Sequence, residues 1–161
     1  MAFRSWVAAS RHMGFEMDPR ELDADERATL IEITDWYKAN RDWMFAGQLH
    51  RLDSHDAAVL AEMTVSADGS QLILFAAQMT TSERNSTRLL RLSGLQPDQL
   101  YRLKLRNPEQ IAPNLTRSWA SPLMTVEGLQ LSGRALMMQG ISLPVAFPAT
   151  MWVIEGERAA A

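Results

Sequence analysis

The spacing of apolar side chains changes once along the 161-residue chain, at Gly47, and that change divides what it can fold into. Before Gly47 the apolar positions recur at helical spacing, whereas after it they alternate every second residue between Asp, Gly and Pro punctuation. A helical segment over residues 1–47 therefore leads into an antiparallel β domain over residues 48–161.

In the first segment Phe3, Trp6, Val7 and Ser10 describe a short amphipathic turn, read as a helical remnant with little of its own to pack against. Asp18-Pro19 interrupts it, because the residue before proline avoids the helical region. A long helix then starts near Asp23, where Asp23 and Glu26 have the spacing of a capping box and Asp25 and Glu26 suit the positive end of the helix dipole. Leu30, Ile33, Tyr37 and Met44 form its main stripe, flanked by Ile31, Trp36 and Trp43, which predicts contact with two neighbours. Gly47 reads as a left-handed C-terminal cap.

The β segment predicts seven or eight short strands. Gln48 to Leu52 is the first, and Val59, Ala61, Met63 and Val65 alternate with Leu60, Glu62 and Thr64 in the second. Asp68-Gly69 is a hairpin signal leading into Gln71 to Thr80. Strands over 88–92 and 101–106 flank a turn from Ser93 to Asp98, and the interval from Pro97 to Tyr101 suits a tyrosine whose hydroxyl ties back to upstream backbone at a sandwich corner. After a polar loop over 107–122, strands are expected near 124–131, 135–139 and 151–155, with Pro144 and Pro148 at edges or in loops. The fold class is an antiparallel Greek-key β-sandwich preceded by one long α-helix and a short helical remnant.

Composition narrows function. With 47% hydrophobic residues the chain can bury a core, and its 16 basic and 19 acidic side chains are mixed, leaving no basic stripe for nucleic acid. No apolar run approaches the roughly 20 residues of a membrane span, and the start has no signal-peptide pattern, so a cytoplasmic location is expected. The absence of cysteine removes disulfides, thiolate chemistry and Cys-ligated metals, and ten methionines read as core filler.

Two clusters resemble catalytic or metal sites without the spacing that chemistry needs. Glu16 and Asp18 read as acceptors for neighbouring backbone and for Arg20 or Arg41. Asp53-Ser54-His55-Asp56, with His50 nearby, reads as a polar loop, since adjacent residues do not assemble a triad and a zinc site wants a second, distant cluster. No catalytic, cofactor-binding or metal-ligating residue is assigned.

Two stretches carry a family resemblance. The first combines Arg4, His12-Met13-Gly14, Glu16 and Asp18 with Tyr37, Lys38, Arg41, Gly47, Arg51 and Leu52. The second, in order, combines Arg91-Leu92, Gly94-Leu95, Pro97 and Tyr101-Arg102 with Ser132-Gly133, Leu136-Met137, Gly140-Ile141 and Leu143-Pro144. Together they resemble the end of the catalytic barrel and the C-terminal β domain of α-galactosidases of glycoside hydrolase family 36. The resemblance implies a parent retaining glycosidase acting through two carboxylates about 5 Å apart. The motifs that hold those two aspartates are not found between Met1 and Ala161, so the chain alone should be inactive.

What the resemblance implies for this chain is a structural role, bracing the catalytic barrel and an oligomer interface. Without the barrel, Phe3, Trp6, Val7 and part of the Trp36 and Trp43 side should be exposed and drive homo-oligomer formation. The alternative is a stand-alone carbohydrate-binding module for galactosides. Trp36 and Trp43 read as core or interdomain anchors, which leaves Trp119, in the polar loop beside Asn114 and Arg117, as the candidate sugar platform.

Overall fold

A computed structural model describes residues 1–82, 89–111 and 121–159. Its elements in chain order are α1 (Ala2–Ala9), α2 (Ala24–Ala46), β1 (Gln48–Leu52), β2 (Val59–Val65), β3 (Gln71–Gln78), β4 (Leu89–Leu90), β5 (Leu100–Leu105), β6 (Leu129–Ser132), α3 (Gly133–Met138), β7 (Ile141–Ser142) and β8 (Thr150–Arg158). Six strands form one sheet in the order β1-β2-β3-β8-β5-β6, while β4 and β7 form a second, short sheet. Every pairing is antiparallel. The pairs β3·β8, β4·β7 and β5·β6 are nested, as though one long hairpin were rolled over so that alternate pairs fall in opposite layers. That is Greek-key connectivity, and it places the last strand in the middle of the large sheet.

The pleat sends successive side chains to opposite faces. On β5, Tyr101, Leu103 and Leu105 are buried and Arg102 and Lys104 are partly exposed. β3 is apolar on both faces, because both are covered. Leu72, Leu74 and Ala76 join a core with Trp152, Ile154 and the small-sheet residues Leu90 and Ile141. Ile73, Phe75 and Ala77 join a second core with the two helices.

That second core corrects one expectation. Trp6 and Trp36 are not left open by a missing neighbour; both are buried, at 1% and 8% exposure, against the outer face of the sheet. Trp6 meets Trp36 edge to face at 5.0 Å between centroids, and Trp36 meets Phe75 at 6.1 Å. Each buried indole contributes about 2–3 kcal/mol from area alone. Phe3 and Trp43 pack on the margin of this core and Val7 is exposed. α2 therefore has its two neighbours, α1 and the sheet, with Ile33, Trp36, Tyr37 and Met44 turned inward and Ile31 and Phe45 outward.

The helix start is as read. Asp23 Oδ1 accepts from the Glu26 N–H at 2.8 Å, satisfying one of the unpaired donors of the first turn. The helix end is not. Gly47 lies at φ −80° and ψ 175°, extended rather than left-handed. Glycine is required there for space: a Cβ would stand 2.5 Å from the Val65 carbonyl oxygen and 2.7 Å from Thr64 Cγ2. The strand expected over 135–139 is instead α3, capped by the Ser132 hydroxyl, which accepts from the Ala135 N–H. Its Ala, Leu and Met residues are good helix formers, and the preceding cap outweighs their alternation. The strand expected near 124–131 begins only at Leu129, after a short 3₁₀ turn over Pro122–Met124. The fourth strand narrows to Leu89–Leu90, Arg88 lying outside the described residues.

The hairpin and the tyrosine corner are both present and are joined. Gly69 sits at φ +69° in the β2–β3 turn, and its N–H donates to the Ser66 carbonyl at 2.8 Å. The fully buried Tyr101 hydroxyl donates to the Gly69 carbonyl at 3.0 Å and accepts from the Gln96 N–H at 3.2 Å. One side chain thus ties the first hairpin to the turn before β5.

Candidate functional site

An open groove lies on the outer face of the sheet, between α1, which packs on β8, and the strands β2 and β3. On β2 the outward positions are Leu60, Glu62 and Thr64, since Val59, Ala61, Met63 and Val65 belong to the inner core. Leu60 is the most exposed of these, at 63%, and Val7 on α1 and Met79 just past β3 are exposed beside it. With Phe3, Ala77 and Met151 they line a groove of about 800 Å³. An ion pair crosses its wall, where the Arg11 guanidinium of the segment after α1 donates to Glu62. The floor and the α1 side are apolar, and the polar loop Asp53-Ser54-His55-Asp56 closes one end.

The polar groups of that loop bond mostly to one another and to the chain that flanks them. Asp53 Oδ1 accepts from the His55 N–H at 2.8 Å, and its other oxygen lies 3.1 Å from His55 Nδ1. The Ser54 hydroxyl accepts from the Asp56 N–H and faces the Asp56 and Val59 carbonyls at 2.8 Å. Asp56 accepts from the Ala58 N–H and from the Ser82 hydroxyl. These short-range bonds build a turn that holds His55 at φ +53°, a conformation that Asp, Asn and His adopt more readily than most. His50 is not part of it: its ring sits against Gly94, where a Cβ would stand 2.3 Å from Nε2. Among the described residues no group of three or more His, Asp or Glu side chains is placed to hold a metal ion.

Glu16 and Asp18 also resolve into local contacts. Glu16 is exposed, while Asp18 accepts from the Arg20 guanidinium at 2.6 Å and from the Arg20 N–H at 3.0 Å. Those bonds, the guanidinium first, hold its carboxyl below the usual carboxylate range. Arg41 pairs with Asp42 instead. Trp119 lies outside the described residues. The sequence reading missed the groove, although it held a sign of it: Leu60 is an apolar residue at a position whose neighbours Glu62 and Thr64 face outward.

No helix among the described residues is long and apolar enough to cross a membrane. Two helices on one face of an antiparallel Greek-key sheet, with a short sheet on the other, define a glycosidase-associated β domain when set beside known proteins. Residues 59–154 match the glycosyl hydrolase family 36 C-terminal domain, and the chain belongs to that family. Over 162 aligned residues it is 32% identical to an alpha-galactosidase of Escherichia coli, covering 99% of this chain and 23% of that protein. The fold recurs in the family 36 alpha-galactosidase AgaB from Geobacillus stearothermophilus, at 24% identity and a TM-score of 0.75, over 97% of this chain and 19% of that one. It recurs too in the alpha-galactosidase from Lactobacillus brevis, at 20% identity and a TM-score of 0.74, over 98% and 20%. The chain thus spans about a quarter or a fifth of the length of these relatives.

Proposed function

We propose that the chain is a non-catalytic C-terminal domain that braces the catalytic barrel of an α-galactosidase, with the groove beside α1 as its docking face. The observation that carries this reading is the groove itself. Val7, Leu60 and Met79 are 44%, 63% and 46% exposed around one concavity, and clustered apolar exposure of this kind marks an interaction surface. The relatives are four to five times longer than the aligned segment, which supplies a partner within the same polypeptide. The glycoside chemistry belongs to that partner.

The test is binding in trans. The E. coli α-galactosidase lacking its matching C-terminal region is mixed with this chain and followed by sedimentation velocity. A one-to-one complex is expected, and Leu60→Asp should abolish it by placing a charge in the apolar wall. No complex, or a complex indifferent to Leu60→Asp, would overturn the docking assignment. The same surface leads the isolated chain to associate with itself, so light scattering should report a dimer or larger species for the parent sequence and a monomer for Leu60→Asp.

A further inference from the structure

A second concavity of about 240 Å³ lies on the other flank of α2, where the helix overhangs β3, β8 and β5. Strand register sets its floor in two rows. Gln71, Glu157 and Arg102 lie side by side across the three strands, and Ile73, Glu155 and Lys104 form the next row. From α2, Asn40 and Trp43 form the wall above them.

The wall is held in place. The Trp43 indole N–H donates to Asn40 Oδ1 at 3.0 Å, and the Asn40 amide donates to the Trp36 carbonyl at 2.8 Å. One oxygen of Glu155 is fixed by the Trp36 indole N–H at 2.5 Å. In the outer row Arg102 pairs with Glu157. In the inner row Lys104 and Glu155 face each other in register without forming an ion pair, and among the described residues Lys104 has no acidic partner and the second oxygen of Glu155 no donor. A donor and an acceptor are thus held open beside a tryptophan, in a cleft whose two cations and two carboxylates cancel.

We propose that this cleft binds a neutral monosaccharide. A pyranose offers an apolar ring face for the indole and hydroxyls that both donate and accept, so one molecule can bridge the Glu155 carboxylate and the Lys104 ammonium. A charged ligand would meet one favourable and one unfavourable partner in the same row. The assignment places a sugar contact at Trp43 and is independent both of Trp119, which lies outside the described residues, and of the docking face.

The experiment is a proton–nitrogen correlation titration of the full chain with methyl α-galactopyranoside, the Trp43 indole signal being assigned through Trp43→Phe. A saturable shift of that signal in the millimolar range is expected, weakened at least tenfold in Lys104→Met and in Glu155→Gln. The glutamine keeps an acceptor for Trp36, and unchanged thermal midpoints show that both variants fold. A shift that fails to saturate, that falls on other residues, or that survives Lys104→Met would overturn the site. Equal binding of sodium acetate would overturn its preference for a neutral ligand.

Discussion

Replacing Tyr101 by Phe removes one oxygen atom and tests how the sandwich is tied together. The ring stays, so the apolar burial at 0% exposure is unchanged and only the hydroxyl's two hydrogen bonds are lost. Their consequences differ. Gln96 is exposed, and its N–H can turn to water at little cost. Gly69 is buried, and among the described residues its carbonyl keeps no partner once the 3.0 Å bond from Tyr101 is gone. A buried acceptor stripped of its donor costs about 1–3 kcal/mol, so Tyr101→Phe should destabilise the chain by about 2 kcal/mol. At this chain length that lowers Tm by about 4–8 °C. Urea unfolding followed by tryptophan fluorescence should show the midpoint fall with the slope unchanged. A loss below about 0.5 kcal/mol would mean that the hairpin turn and the turn before β5 are not held through this hydroxyl.

The two turn glycines should respond in opposite ways to what their dihedral angles suggest. Gly47→Ala, at an ordinary φ, should cost more than about 2 kcal/mol by driving a methyl into the Val65 carbonyl, whereas Gly69→Ala, at φ +69° beside the pliable Gln96 side chain, should cost about 1–2 kcal/mol by urea unfolding. Trp6→Ala should cost about 3–5 kcal/mol, since Trp6 is sealed between α2 and the sheet; a cost near 1 kcal/mol would mean that α1 is not docked there. Asp68 accepts from the Ser66 hydroxyl, the Ser70 N–H and the Ser70 hydroxyl, which bring its carboxyl down to about 2. A depressed folded value means its contribution is complete above the unfolded carboxylate value and is lost as pH falls from about 4 toward about 2. Asp68→Asn should therefore show a shallower loss of stability across that window in acid titration.

The fold was largely legible because its signals are local. Asp23, Asp68-Gly69 and the alternation through β2 and β5 each act within a few residues, and the Tyr101 corner spans only five. Two of the misreadings arose where distant contacts decide. Gly47 is glycine because β2 passes close to it, which nothing on either side of Gly47 reveals. Another is local: residues 135–139 alternate passably as a strand, but good helix formers and the capping bond from Ser132 make 133–138 into α3. Trp6 looked exposed because its partners Phe75 and Val153 lie some 70 and 150 residues away. The groove was half visible in Leu60, but the cleft of Lys104 and Glu155 depends on the register of β5 with β8, which pairs the last strand with one fifty residues earlier.

Whether this domain serves a catalytic barrel through the groove beside α1 is decided by a chimera. The E. coli α-galactosidase is made without its matching C-terminal region, with this chain in its place, and with the Leu60→Asp chain in its place, and each is assayed for release of galactose from melibiose after graded heating. The truncated enzyme should be inactive or rapidly inactivated, this chain should restore it, and Leu60→Asp should abolish that recovery. A truncated enzyme as active and as durable as the intact one, or a chimera indifferent to Leu60→Asp, would contradict that role of the domain.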